Sequence, residues 1–264
     1  MIPGLIVYDV LFAMVGALLY GPAAYLAFEV WQRIAARTYW AIGIVPTFVT
    51  FALALIAEVA ILGALLPRLS PGRYRLMKHP IFYVWLIRSI FRRLLFAPGL
   101  KWFLFASNTL RFLSLRALGG RVAYDANMSA DVEILDPWLL TVERGVIIGA
   151  RTMLASHYVE RGELVLGPVV IGDGAFVASE ILVGPSVTIG PGAVIKPRAS
   201  ISIGVTIGQD AQIGPGAFID YGVSVGKGAI VHTCVYVERK RIIADYEEVS
   251  TSSRSTRNSA APAV

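Results

Sequence analysis

Histidine is the residue to follow first, because an imidazole with an ordinary pKa of about 6.5 both takes and gives a proton near neutral pH. The chain has three, His79, His157 and His232. His157 stands among polar neighbours, Ser156, Tyr158, Glu160 and Glu163. A base at this position can draw a proton from an attacking hydroxyl or amine. Glu160 or Glu163 can orient the ring, Ser156 can support it, and backbone N–H groups at an irregular turn can stabilise an oxyanion. The plainer reading makes His157 a loop histidine bonded to a backbone carbonyl. His79 lies in an apolar and basic stretch and reads as structural. His232 follows the aliphatic Val231 and should point outward.

The element that must carry His157 is visible as a repeat. From Val165 to Val237, Val or Ile stands at every sixth position, thirteen times in one phase. A small or β-branched residue follows four places later, from Ala175 to Val235, and glycine often comes directly after the aliphatic residue, as at Gly172, Gly190 and Gly214. Short strands that turn at small residues and stack about 4.8 Å apart give this pattern, because no single hexapeptide can bury its own apolar side chain. The chain therefore reads as mainly β, a parallel β-helix of hexapeptide repeats with about four strong coils. Weaker repeats precede them, with Ile134, Leu140 and Val146 in one phase and Val142, Ile148 and Leu154 in its companion. Between Leu154 and Val165 the spacing is eleven residues, so the register breaks. His157 lies inside that break, which predicts a bulge or an extruded loop.

The rest of the chain is different in kind. Of 264 residues, 56% are hydrophobic and only 16% charged, which excludes an ordinary soluble enzyme and global disorder. The single cysteine, Cys234, excludes a disulfide scaffold and reads as a corner filler. Residues 1–118 hold twelve Lys and Arg against three Asp and Glu, so the basic excess sits in the apolar part. That favours an anionic membrane surface over nucleic acid. Ile2 to Phe28 and Ala41 to Leu66 are apolar runs long enough to cross a hydrocarbon core of about 30 Å. A signal peptide fits the first poorly, since no Lys or Arg precedes it. Residues 1–66 thus read as a two-helix transmembrane hairpin. Arg68, Arg73, Arg75 and Lys78 outnumber Arg33 and Arg37, which puts both termini and the β-helix in the cytoplasm. Asp9 and Glu29 lie near helix ends, whereas Glu58 sits inside the second run.

Residues 67–120 form a basic linker followed by amphipathic stretches, with Arg88, Arg92 and Arg93 on one face and Pro98-Gly99 as a break. They read as helices lying in the membrane interface. The β-helix should occupy residues 121–237. Residues 238–264 should begin as a short cap and end disordered after about Val249.

These repeats resemble the hexapeptide-repeat acyltransferases. The resemblance implies a left-handed β-helix, a homotrimer, and a coenzyme A or phosphopantetheine thioester as acyl donor bound between neighbouring coils. A second resemblance is to the membrane-bound C-terminal domains of poly-lysine-synthetase-type nonribosomal peptide synthetases. It rests on the runs Ser70-Pro71-Gly72-Arg73-Tyr74, Leu113 to Val122, Ala155-Ser156-His157-Tyr158-Val159-Glu160-Arg161-Gly162 and Leu164 to Pro168. Such domains are thought to join an amine to a carrier-bound acyl thioester. Without adenylation or carrier modules in this sequence, the resemblance implies a stand-alone transferase served by coenzyme A or a separate acyl carrier protein. Arg161, Lys196 and Arg198 are the cations that could hold the donor's phosphates. The γ-carbonic anhydrases share such a coil but need three histidines around zinc, and His157 and His232 lie 75 residues apart; no metal is expected. The alternative to an enzyme is a membrane-tethered trimeric scaffold.

Overall fold

A computed structural model describes residues 2–37 and 39–250, with side chains from Tyr8 onward. The tail expected to be disordered falls largely on residues 251–264, outside the described residues. The chain divides into two compact units. One comprises Met1–Leu69 and Pro80–Gly119; the other comprises Ser70–His79 and the chain from Gly120 onward.

The first unit is helical: α1 (Ile2–Ala35), α2 (Ile44–Leu65), α3 (Pro80–Leu95), α4 (Leu100–Ala106) and α5 (Asn108–Ala117). Two stretches, Tyr8–Ala35 and Trp40–Leu65, are long and apolar enough to cross a membrane. Little of either is buried within the protein; Met14, Leu18, Ile61 and Leu65 are each more than half exposed. The helices pack through specific contacts. The ring centroids of Tyr20 and Phe51 lie 5.9 Å apart, and the Tyr20 hydroxyl donates to the Leu94 carbonyl at 2.7 Å.

Sequence patterning grouped Arg88 with Arg92 and Arg93 on one face of an interfacial helix. Arg88 is instead buried, and its Nη2 donates to the carbonyls of Gly63, Leu66 and Pro67 at 3.1, 3.3 and 3.3 Å. The reason is the end of α2, whose last carbonyls have no intrahelical donor and favour a cation at that pole. Arg111 is likewise buried, and burial lowers the pKa of both guanidinium groups. The second amphipathic stretch is two helices, because Ser107 turns the chain and caps α5, accepting from the Leu110 N–H.

The second unit is a β-solenoid of three parallel sheets. Sheet 1 runs from Arg121–Val122 to Ile242–Ile243, sheet 2 from Asn127–Met128 to Glu248–Val249, and sheet 3 from Glu133–Ile134 to Tyr236–Val237. They contain seven, seven and six strands, so the coil is longer than the strong repeats alone suggest. The weak early repeats build full coils, and residues 238–249, expected to cap the coil, continue it instead. Inward-facing residues stack like on like: Ile189 on Ile207, Ile195 on Ile213, Ile201 on Ile219. All six are at most 1% exposed. Each such burial contributes about 1.5–3 kcal/mol of transfer free energy.

From Val169 on, each strand pairs with one eighteen residues later, as Val169 does with Val187. Two earlier coils are longer, and both take their extra residues at the corner between sheet 3 and sheet 1. Ile134 pairs with Leu154, twenty residues on, because a 3-10 turn at Pro137–Leu139 widens that corner. Leu154 pairs with Val183, twenty-nine residues on, because an arm leaves the coil there.

Candidate active site

The register break is an antiparallel hairpin. His157–Glu160 forms its first strand and Glu163–Leu166 its second, with Glu160 opposite Glu163. The two-residue turn, Arg161-Gly162, has φ of 49° and 78°. Positive φ at both positions is what a type I′ hairpin turn demands, and glycine meets that demand at the second. A third strand, Gly72–Arg75, comes from the linker and pairs antiparallel with the second arm strand. At the base of the arm the Gly167 N–H donates to the Ser156 carbonyl at 2.9 Å. A Cβ at Gly167 would overlap the backbone nitrogen and hydroxyl of Ser186, so only glycine lets the chain re-enter the coil here.

His157 is the first residue of the arm, and its Nδ1 lies 2.6 Å from Asp136 Oδ2. The Asp136 side chain is fully buried, whereas that of His157 keeps 22% exposure. Asp136 also accepts from the Ser156 N–H at 3.2 Å. An ionised carboxylate can only accept, so Nδ1 carries the shared proton and neutral imidazole has its lone pair on Nε2. Asp136 belongs to the widened corner directly before the arm's own corner. The two insertions, one on each coil, bring imidazole and carboxylate together.

The other expected residues are placed differently. Glu160 and Glu163 do not orient His157; both pair with Arg73, at 2.7 and 3.5 Å. The reason is strand parity. Side chains alternate faces along a strand, so Glu160, three residues from His157, points to the other side of the arm. His157 shares its face with Leu164 and Leu166, which are buried. Ser156 is buried and contributes its backbone amide to Asp136. Arg161 is exposed at the tip of the arm. Lys196 and Arg198 stand at the corner between sheets 2 and 3, not at the His157 corner. Arg198 pairs with Glu180 at 2.7 Å, Arg151 pairs with the same carboxylate, and the two guanidinium groups, Arg198 first, hold the Glu180 carboxyl below the usual range. A surface groove follows that same corner past Glu180, Arg198, Thr233 and Cys234, without including His157. Cys234 is exposed there in a left-handed turn, with φ of 53°. His232 pairs with Glu248 at 3.3 Å, and the His79 ring lies 4.9 Å from that of Tyr74. Among the described residues no three His, Cys, Asp or Glu side chains are grouped to hold a metal ion.

Asp136 is the residue that sequence reasoning missed. Its signal was the pairing of Ile134 with Leu154, which carries Asp136 to Ser156, beside His157. The indole N–H of Trp138, two residues on, is buried with no hydrogen-bond partner among the described residues.

No family model matches the chain. Over 124 residues, 47% of its length, it is 33% identical to delta-poly-L-ornithine synthetase of Acinetobacter baumannii (strain AB307-0294). The match spans 9% of that synthetase. Among solved structures it is similar to AntD, an N-acyltransferase from Bacillus cereus in complex with dTDP and 3-hydroxybutyryl-CoA. There the identity is 16%, covering 55% of this chain and 92% of that one, with a TM-score of 0.42. It is also similar to PerB from Caulobacter crescentus in complex with CoA and GDP-perosamine, at 20% identity, 51% and 59% coverage and a TM-score of 0.33. The poly-ornithine synthetase match fits the resemblance to poly-lysine-synthetase-type domains drawn from residues 70–200.

Proposed function

We propose that the chain is a membrane-anchored acyltransferase that moves an acyl group from a coenzyme A or carrier-protein thioester to a hydroxyl or amine. The observation that carries this reading is the His157–Asp136 pair at the corner where the coil opens into the arm. Asp136 fixes the ring and offsets the charge of the imidazolium that forms. Nε2 takes the acceptor's proton as its oxygen or nitrogen bonds to the thioester carbonyl. The tetrahedral intermediate then collapses, the carbon–sulfur bond breaks, and Nε2–H returns the proton to the departing thiolate. Backbone N–H groups at the irregular corner are the candidate oxyanion donors. Arg161 is the candidate for the donor's phosphates; Lys196 and Arg198 are not proposed for that role, since they sit at another corner.

The anchor reading is supported by the outward-facing apolar side chains of α1 and α2, the reverse of helices buried in a soluble core. The basic residues of the connecting segments favour a cytoplasmic β-helix. Self-association as a homotrimer is supported by the outer faces of two sheets. Sheet 2 presents Ile147 and Phe176, and sheet 3 presents Met153, Leu182, Phe218 and Tyr236, each 36–47% exposed. Sheet 1 presents Thr141, Thr188, Thr206 and Ser224. Two unlike apolar faces on one protomer suit a head-to-tail contact that closes into a ring.

The test is to reconstitute the chain in lipid nanodiscs and offer a panel of acyl-coenzyme A donors with amine and hydroxyl acceptors. Free thiol release and an acylated product are expected, with thermal stabilisation by coenzyme A. Neither stabilisation nor thiol release would leave the tethered scaffold as the reading.

A further inference from the structure

We infer that the linker strand Gly72–Arg75 is a positioning element for the His157 imidazole, with Arg73 as the positioning residue; the inference rests on the reading of His157 as base. The arm, residues 157–166, is a two-stranded hairpin that leaves the coil at its base. Two-stranded hairpins are marginal in water, and a third strand is what makes such a sheet persist. That strand is supplied from outside the coil. Gly72 pairs with Leu166, the partner of His157, and Arg75 pairs with Glu163, so the linker strand spans the whole arm. Beyond it the Leu76 N–H donates to the Gly162 carbonyl at 3.0 Å, tying the tip as well.

Arg73 locks this register from the outer face. Its guanidinium reaches Glu160 on one arm strand and Glu163 on the other, the pair that flanks the turn. By strand parity it touches neither His157 nor Asp136. Its influence on them passes through the backbone of the sheet. The three side chains are 37–55% exposed, so the ion pairs add little to global stability. Their place at the junction of three strands suits the holding of register, and His157, at the arm's base, moves if the sheet slips.

Both ends of residues 70–79 continue into the helical unit, so the chain leaves that unit, contributes one strand to the arm, and returns.

The experiment uses the full chain in micelles with isotope-labelled histidine, and no substrate. Only three imidazoles contribute, and His157→Asn assigns the relevant one. In the native chain the His157 Nδ1 proton should exchange slowly. In Arg73→Ala it should exchange roughly tenfold faster through local opening of the arm, with His232 and the melting temperature unchanged. Arg73→Lys should recover part of the protection. The reversed set Arg73→Glu, Glu160→Arg, Glu163→Arg should recover most of it. If Arg73→Ala fails to fold, Glu160→Gln with Glu163→Gln reads the same contact. A His157 signal and exchange rate unmoved in both variants would overturn the positioning role while leaving acyl transfer untouched. Loss of acyl transfer in the native chain would leave the imidazole shifts intact.

Discussion

At the scale of single residues, the account turns on which nitrogen of His157 is protonated. The Asp136 contact assigns the proton to Nδ1, because an ionised carboxylate can only accept. Asp136→Asn keeps the shape but offers an amide that can donate, which favours the tautomer with its proton on Nε2. Acyl transfer should fall about 10²–10⁴-fold, as when the carboxylate of a catalytic triad is neutralised, while melting changes little; steady-state thiol release checks this. A second carboxylate governs acid stability. Asp220 accepts from the Tyr221 N–H, the Tyr236 hydroxyl and Arg239, at 2.7, 2.7 and 3.1 Å, which holds its carboxyl below the usual range. A depressed folded-state pKa gives stability that is present above the unfolded value of about 3.9 and is lost as pH falls through the folded one. Asp220→Asn should therefore flatten the fall in melting temperature below about pH 4. Equal acid slopes for native and variant would contradict it.

At the scale of elements, the coil and the arm are separable. Deleting residues 156–166 leaves Ala155-Gly167-Pro168 between Leu154 and Val169, the same length as Gly184-Pro185-Ser186 between Val183 and Val187. The shortened chain should keep the β-helix circular dichroism signature and lose acyl transfer entirely. Much of this was legible in sequence. The Val and Ile period fixed which side chains face inward, and the eleven-residue gap located the arm. The pairing of Glu160 and Glu163 with Arg73 was not legible, because Arg73 lies 87 residues upstream of Glu160 and no local pattern joins them. The inward turn of Arg88 was hidden for a similar reason: helical spacing shows a polar stripe but not the unmet carbonyls at the end of another helix. Ile243 and Val249 continue the six-residue period beyond Val237. Charges at 238–241 and 247–248 obscured them, since those side chains point outward and leave the inward rungs unchanged.

For the molecule as a whole, the proposed homotrimer would rest on the outer faces of sheets 2 and 3. Leu182→Glu with Phe218→Glu places two charges on an apolar face and should lower the mass of the assembly to that of a single chain in analytical ultracentrifugation. An unchanged mass would exclude sheet 3 as the contact. The structure divides the chain at Gly119, with one exception. Residues 70–79 belong with the coil, because a strand adds where its partner's edge is, whatever its neighbours in sequence are. The central claim is that the His157 imidazole is the base for acyl transfer. Thiol release from the preferred acyl donor, compared between the native chain and His157→Ala in nanodiscs, tests it most directly. His157→Ala should release thiol about 10²–10⁴-fold more slowly at an unchanged melting temperature, and turnover at the native rate would rule out His157 as the base.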